Sequence, residues 1–406
     1  MSKIKILAVI PDTFGVGKFR ILDPYKFIGD NYMDQVHVDL TYNMEDKDEA
    51  FNGYDVVIFH SFIHQSSHEA NISRIKWLKV QGIKTIMDID DLWFVDQRHP
   101  MYYQIKKDKI GEKKIEMLKL VDYVTTTTPI FAQTIKELGV KNVIVFPNAV
   151  DPTDPQFQPN PTPTDKIRFG WLGGSTHEHD LALLTNGISS VLHSNTNDVQ
   201  FVLCGFDLRG TISEHNLQTN QTTKRDNKPE ETVWYKYEKI FTDNYRFADE
   251  EYLKFLKRYV DIPYTVNDKQ YVRRWTQGVK TYANNYNHFD ISLAPLIESK
   301  FNANKSQLKV IEAGFHKKAI IASNTQPYTL DLVSALTDGK LNDNGNALLV
   351  DEKKGHKDWA KQMKKLIENP DMIKELGERL YNTVKDKYSL QKVSKDRVEF
   401  LKSIIK

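Results

Sequence analysis

Residues Pro295–Tyr328 read PLIESKFNANKSQLKVIEAGFHKKAIIASNTQPY, and this stretch is the most informative part of the chain. It follows an apolar run, Ile291–Pro295, that has the length of a strand. A polar loop then leads to a helix that we expect to begin near Ser306, and Ala319–Ala322 again has strand length. Two strands joined by a helix pair in parallel. The segment therefore predicts an α/β protein.

Three charged side chains stand at helical spacing in this stretch. Lys309 and Glu312 would share one face of the helix, and Lys305 would lie at its N-terminal approach, beside Ser306. Cations at this place can neutralise a departing diphosphate, and a carboxylate can accept hydrogen bonds from the two neighbouring hydroxyls of a ribose. A solvent-exposed charged face is the alternative, but the apolar neighbours of Glu312 in the sequence argue against it.

The same alternation of strands and helices extends in both directions. Helical patterns occupy Ser67–Gln81, Pro129–Leu138 and much of the chain after His356. Further runs of strand length are Ile4–Ile10, Val36–Leu40, Val56–Phe59, Lys84–Met87, Tyr123–Thr126, Val143–Phe146, Ile167–Leu172, Gln200–Cys204 and Ala347–Val350. Strands that alternate with helices predict two doubly wound, Rossmann-like domains.

A proline-rich stretch divides the chain. Five prolines fall between Pro152 and Pro163, a density that neither a helix nor a central strand accepts. We therefore predict a first domain over residues 1–150, a linker over 151–165 and a second domain over 166–387. The second domain carries an elaborated connection over residues 207–287.

Composition excludes several classes of protein. The 406 residues are 40% hydrophobic and 27% charged, with a net charge of only +2, so no global field favours nucleic acid or an anionic membrane. One cysteine, Cys204, indicates a reducing compartment. We find no apolar run near the roughly 20 residues needed to cross a bilayer. These features predict a cytoplasmic protein with at most peripheral membrane contact.

Two glycine-containing turns follow strands. Gly15 and Gly17 come after the first strand, although Arg20 occupies the place of the third glycine in a dinucleotide-binding motif and no Lys-Ser/Thr pair completes a P-loop. Gly173, Gly174 and Ser175 follow Ile167–Leu172 in the run FGWLGGSTHEHDL. Exposed backbone N–H groups at such turns bind phosphate, and plain tight turns are the alternative.

Polar side chains at the ends of two other strands are weaker candidates. His60 follows Val56–Phe59, and Asp90 and Asp91 follow Lys84–Met87. These groups can bind sugar hydroxyls or accept a proton from an acceptor. Their spacing contains no tight metal-ligand motif, so we expect no bound metal.

The elaborated segment is rich in aromatic residues and contains Arg273 and Arg274. Its aromatics would stack on a ligand or form a small core of their own, and the arginines mildly favour an anionic acceptor. The aromatic residues are Trp234, Tyr235, Tyr237, Tyr245, Tyr252 and Trp275.

The sequence resembles the GT-B glycosyltransferases, in particular the large retaining group that includes many bacterial polysaccharide glycosyltransferases (family 4-like). The resemblance rests on PNAVD, FGWLGG and KSQLKVIEAGFHKKAIIAS. It implies that Glu312 holds the ribose of the donor, while Lys305 or Lys309 binds the diphosphate. Gly173 and Gly174 would approach the same diphosphate. It further implies that Gly15 and Gly17 line the cleft, that His60 contacts the transferred sugar, and that the last helix, over 388–406, packs back on the first domain.

The expected activity is transfer of a hexose from a nucleoside diphosphate sugar, with retention of configuration and with neither cofactor nor metal. The group often has a second glutamate eight residues before the first, and Asn304 stands at that position here. Two other classes therefore stay open: a nucleotide-sugar epimerase of the same build, and an inactive binding module. The acceptor would be a glycan, a lipid-linked intermediate, a protein or modified phage DNA, and the sequence does not indicate the oligomeric state.

Overall fold

The computed structural model of the protein describes residues 3–42, 47–64, 67–99, 101–194, 198–206, 210–216, 219–242, 270–275, 277–337 and 340–405. Within these ranges the first half of the chain holds strands β1 (Ile4–Val9), β2 (Val36–Thr41), β3 (Val56–His60), β4 (Lys84–Asp88), β5 (Tyr123–Thr126) and β6 (Val143–Val145). They form one parallel sheet in the order β2-β1-β3-β4-β5-β6.

The second half holds a sheet of the same size. Its described strands are β7 (Ile167–Leu172), β8 (Val199–Phe206), β9 (Thr211–Asn216), β10 (Gln221–Asp226), β11 (Tyr271–Trp275), β12 (Ile291–Ala294), β13 (Ala319–Ser323), β14 (Leu336–Thr337), β15 (Lys340–Leu341) and β16 (Leu348–Val350). Six of them pair in parallel in the order β11-β8-β7-β12-β13-β16. The other four form two antiparallel pairs, β9 with β10 and β14 with β15.

Helices connect the strands of both sheets. The described α-helices are α1 (Asp23–Asn31), α2 (His68–Val80), α3 (Tyr102–Lys107), α4 (Ile110–Leu120), α5 (Pro129–Glu137), α6 (Glu178–Ala182), α7 (Gly187–Ser194), α8 (Val233–Phe241), α9 (Lys300–Ala303), α10 (Leu308–Phe315), α11 (His356–Glu368), α12 (Pro370–Val384) and α13 (Leu390–Ile404). A π-helical turn, Gly17–Leu22, precedes α1. Among the described helices, none is both long and apolar enough to cross a membrane.

The cores lie on both faces of each sheet, as parallel pairing requires. Every residue of β3 is buried, and the same is true of β12 and β13. A strand covered on both faces is a nearly continuous apolar run, which is why these strands lack the alternating pattern of a half-exposed sheet. The predicted doubly wound α/β fold is confirmed.

Helix α13 completes the core of the first half although it ends the chain. Val398 and Leu401 are buried among residues of β1, β3 and α1. Just before α13, Ser389 forms a bridge with Val150, which joins the end of the chain to the end of the first half. The chain therefore leaves the first half, builds the second and returns.

The proline-rich stretch packs closely on the second half. Phe157 is buried against Phe19 and His316, and the backbone N–H of Thr162 donates to the carbonyl oxygen of Asn287 at 2.9 Å. The Asn160 N–H donates to the Asn287 Oδ1 at 2.8 Å. The linker is thus held in place by the domain that follows it.

The elaborated connection contributes to the second core. Strand β11 adds to the edge of the sheet beside β8, and Trp234 and Tyr237 on α8 are buried in the hydrophobic core. The idea that the arginines receive an anionic acceptor is wrong: Arg273 is fully buried against Glu238, and Arg274 is buried beside His288. Tyr245 and Tyr252 lie outside the described residues.

Candidate functional site

A cleft of about 660 Å³ lies between the two halves, at the carboxyl ends of their strands. The loops after β1 and β4 form one wall, and the loops after β7, β8 and β12 together with α10 form the other. This edge is where doubly wound sheets bind ligands. The first half contributes Phe14, Gly15, Val16, Phe19, Arg20, Asp90, Asp91 and Asn148 to the lining.

Glu312 is the buried carboxylate of the cleft. It lies on α10, is 4% exposed and accepts a hydrogen bond from each of two tyrosines. The Tyr286 hydroxyl donates to Oε2 at 3.0 Å, and the Tyr282 hydroxyl donates to Oε1. Burial raises the pKa of Glu312, and the tyrosine hydrogen bonds and Lys309 oppose that rise. Each carboxylate oxygen has a further lone pair with which to accept a ligand hydroxyl.

Two lysines face the cleft on the approach to Glu312. Lys309 lies one helical turn before it and donates to the carbonyl oxygen of Leu172, and Lys305 lies in the turn between α9 and α10. In the part of the chain that the structure describes, neither lysine forms an ion pair. Partial burial lowers the pKa of Lys309 to about 8, against the attraction of Glu312. These are cations positioned for a ligand anion.

The turn after β7 comes close to β8 through two glycines. A Cβ on Gly205, which has a φ of +99°, would lie 2.1 Å from the carbonyl oxygen of Gly173. A Cβ on Gly173 would lie 2.5 Å from the Trp171 ring, so neither position has room for a side chain. Nothing lies within 4 Å of a Cβ on Gly174, which faces open space beside Ser175. Helix α6 begins at Glu178 and is only five residues long. Phosphate binding here would depend on loop N–H groups and the lysines, because so short a helix adds little dipole.

His177 is a cleft residue that the sequence analysis missed. Its Nδ1 lies 2.8 Å from the Asp180 Oδ2, and burial lowers the pKa of this imidazole to about 4 despite the carboxylate. A neutral ring that donates from Nδ1 keeps Nε2 as an acceptor. Asp180 also accepts from the backbone N–H of Ile297 at 2.9 Å, which fixes the loop after β12. The HEHD tetrapeptide, with His177 and Asp180 three residues apart, was the available signal.

Arg20 is buried in the wall of the first half. It makes two hydrogen bonds to Asp88, from Nε at 2.9 Å and from Nη2 at 2.7 Å, and it also donates to the Asn148 Oδ1 at 3.1 Å. The Asn148 Nδ2 in turn donates to the Ser306 Oγ at 3.0 Å. Arg20 therefore orients an amide that crosses from the first half to the loop carrying Lys305.

Two adjacent carboxylates lie opposite the lysines. The Asp90 Oδ1 lies 2.9 Å from the His60 Nε2. Burial alone would raise the pKa of Asp90, but the charges of His60, Arg20 and Lys114 outweigh it and lower this pKa. The Asp91 side chain is exposed to the cleft. The surrounding walls of the cleft, which reduce its hydration, and the charge of Asp90 raise the pKa of Asp91 to about 6. The two carboxylates thus have different proton affinities.

The cleft brings together most of the residues singled out from the sequence. They are Gly15, Asp90, Asp91, Gly173, Gly174, Ser175, Lys305, Ser306, Lys309 and Glu312. His60 and Gly17 do not line it. His60 lies behind Asp90, and a Cβ on Gly17 would lie 2.0 Å from the carbonyl oxygen of Asp12, so this glycine permits a tight turn instead.

No protein family and no curated protein sequence matches the chain. Solved structures with the same fold include Anabaena HepE in complex with UDP-glucose, at 10% identity and a TM-score of 0.63 over 99% of this chain and 100% of that one. An α-glucosyltransferase solved with UDP-glucose and DNA containing an abasic site matches at 12% identity and a TM-score of 0.57, over 98% of both chains. The trehalose-6-phosphate synthase OtsA matches at 10% identity and a TM-score of 0.54, over 89% of this chain and 74% of that one. The chain therefore has the GT-B fold, as its sequence predicted.

Proposed function

We propose that this protein is a glycosyltransferase that moves a hexose from a nucleoside diphosphate sugar to an acceptor hydroxyl. The observation that carries the proposal is the pair of cleft lysines beside a buried glutamate, in a cleft between two Rossmann-like halves. Lys305 and Lys309 would bind the diphosphate, and Glu312 would bind the ribose. The structures that share the fold and were solved with UDP-glucose support this choice of donor.

The proposed reaction needs charge stabilisation at the leaving group. The bond between C1 of the sugar and the diphosphate oxygen breaks, the acceptor oxygen bonds to C1, and the acceptor proton passes to the released diphosphate or to a nearby base. Preorganised cations stabilise the charge that develops on the diphosphate, which is often the largest contribution in such sites. The His177 Nε2, an acceptor when the ring is neutral and donates from Nδ1, would accept a hydrogen bond from the donor sugar. Asp90 and Asp91 would face the acceptor.

The first prediction concerns Glu312. A charge-assisted hydrogen bond contributes about 1.5 to 3 kcal/mol, so loss of one such bond in Glu312→Ala should weaken binding of the preferred nucleoside diphosphate roughly 10- to 150-fold. Isothermal titration against UDP, GDP, ADP and CDP measures the effect, with Glu352→Ala, outside the cleft, as the control. Wild-type affinity in Glu312→Ala, or no binding by the wild-type protein, would contradict the proposal.

We further propose that transfer needs no metal. The described residues contain no group of three or more His, Cys, Asp or Glu side chains arranged to hold a metal ion, while two lysines face the expected diphosphate. Hydrolysis of the donor sugar, with water as acceptor, should continue unchanged in EDTA. Loss of nucleoside diphosphate release in EDTA, with recovery on adding Mn²⁺ or Mg²⁺, would show that the lysines do not suffice.

Retention of configuration is also proposed, on the basis of the group that the sequence resembles. Asn304, at the position of the missing glutamate, is buried, and its Nδ2 donates to the carbonyl oxygen of Lys300 at 2.7 Å. It therefore supports the loop instead of offering a carboxylate. The anomeric configuration of the first sugar released, read by NMR before mutarotation, distinguishes retention from inversion.

A further inference from the structure

The side-chain amide of Asn285 is buried in the wall of the cleft, and no hydrogen bond to it is found among the residues that the structure describes. Asn285 lines the cleft and is 0% exposed. Among the described residues, neither its Oδ1 nor its Nδ2 has a partner. Buried amides are nearly always hydrogen-bonded, so an amide with both groups unused is matched to something that enters the cleft.

The neighbouring asparagine on the same helix shows what a structural amide looks like here. Asn287 belongs to the same 3₁₀ segment, Tyr282–His288, and its Oδ1 accepts from the backbone N–H of Asn160 at 2.8 Å. That amide fastens the linker. The Asn285 amide forms no hydrogen bond with any described residue, so packing alone does not account for an amide at this position.

The helix places Asn285 beside the residues proposed to hold the ribose. A 3₁₀ helix has three residues per turn, so side chains three apart lie above one another. Asn285 therefore follows Tyr282 on the same side, and Tyr282 both lines the cleft and donates to Glu312. The amide stands next to the Tyr282–Glu312 pair.

The wall of the cleft therefore presents three kinds of group. Lys309 and Glu312 lie one helical turn apart on α10, and Asn285 lies one turn after Tyr282, which donates to Glu312. A cation, a carboxylate and an amide suit the diphosphate, the ribose and the base of one nucleotide. Gln277, Val279 and Gly205 also line the cleft, and provide the surroundings for a flat ring.

We propose that Asn285 recognises the base of the donor nucleotide, an inference that rests on the proposed function. The amide Oδ1 would accept from an N–H of the base and Nδ2 would donate to the adjacent acceptor atom. Uracil and guanine offer an N–H next to a carbonyl oxygen, and adenine and cytosine offer an amino group next to a ring nitrogen. The two kinds of edge present their donor and acceptor in opposite order, so an amide held in one orientation pairs with only one of them.

The test compares binding of UDP, GDP, ADP, CDP and inorganic pyrophosphate by isothermal titration. We expect the wild-type protein to bind one kind of base at least tenfold more tightly than the other kind and than pyrophosphate. Asn285→Leu, which is similar in size, should bring all four nucleotides to within about threefold of one another and leave pyrophosphate unchanged. Asn284→Ala, the adjacent asparagine outside the cleft lining, should behave as wild type.

A second measurement separates recognition from a structural role. Because Asn285 has no hydrogen bond to lose among the described residues, Asn285→Leu should leave the melting temperature of the ligand-free protein unchanged or higher. Asn285→Ala, which adds no bulk, gives the same binding comparison if leucine is not accommodated. Base preference that survives in both variants overturns the inference and leaves the proposed function intact. A wild-type protein that binds no nucleoside diphosphate overturns both.

Discussion

Lys309 should make donor binding sensitive to alkaline pH. With its pKa lowered to about 8, this lysine is charged below that pH and loses its charge above it. The affinity for the preferred nucleoside diphosphate should therefore fall as pH rises through 8, by at most about tenfold per pH unit if only the charged form binds. Titrations between pH 7 and 9.5 measure this.

Lys309→Arg is the matched variant for that measurement. A guanidinium stays charged throughout this range, so the affinity of this variant should be independent of pH even if the different hydrogen-bond geometry of the guanidinium weakens binding overall. A wild-type affinity that does not change between pH 7 and 9.5 would show that Lys309 does not contact the diphosphate.

Asn148 should couple the loop after α9 to the first half. Its bond to Ser306 is a neutral hydrogen bond, for which mutational series give about 0.5 to 1.5 kcal/mol. Asn148→Ala should therefore weaken nucleoside diphosphate binding roughly 2- to 10-fold. Stability should fall less than in an Arg20 variant, because Arg20 keeps Asp88 and the Phe146 carbonyl as partners.

Asn142→Ala is the matched control. Asn142 is an exposed asparagine of the first half that donates to the Asp122 carbonyl, and it lies at the amino end of β6, whereas the cleft lies at the carboxyl ends of the strands. It should bind nucleotide as wild type does. Equal affinities in Asn148→Ala and Asn142→Ala, measured by the same titration, would show that the bond to Ser306 does not position the lysine loop.

The strands could be predicted from the sequence because buried parallel strands are continuous apolar runs. Tyr123–Thr126 and Ile167–Leu172 match the structure at both ends. Strand β11 could not be predicted, because the sequence alone suggests that Arg273 and Arg274 are exposed. Arg273 can be buried because it pairs with Glu238, which is distant in the sequence. Charged residues that pair with residues distant in the sequence leave no pattern in the local sequence from which their burial could be predicted.

The candidate site likewise contains some residues that could be predicted from the sequence and others that could not. Glu312 stood out because a carboxylate among apolar neighbours is unusual, and the glycine turns because they follow strands. Asn148, His177 and Asn285 are common polar residues whose local sequence does not set them apart from other polar residues of the chain. Their place in the cleft depends on the packing of one half against the other, which neither periodicity nor spacing in the sequence records.

At the scale of the molecule, α13 should be as important to the first half as any of its own helices. Leu401 is 1% exposed in the core of that half, and Leu→Ala in a core costs about 2 to 5 kcal/mol. Leu401→Ala should lower the denaturant midpoint accordingly, whereas Lys402→Ala, on the exposed side of the same helix, should change it little. Similar midpoints for the two variants would mean that α13 contributes little to that core.

The path of the chain also has a consequence for synthesis. The ribosome releases the strands and other helices of the first half early, but α13, which covers part of that core, is made after the whole second half. Until α13 has been made, the apolar residues beside α1 lack the helix that buries them. The first half of the nascent chain, although it is synthesised first, would therefore depend on chaperones for the longest time.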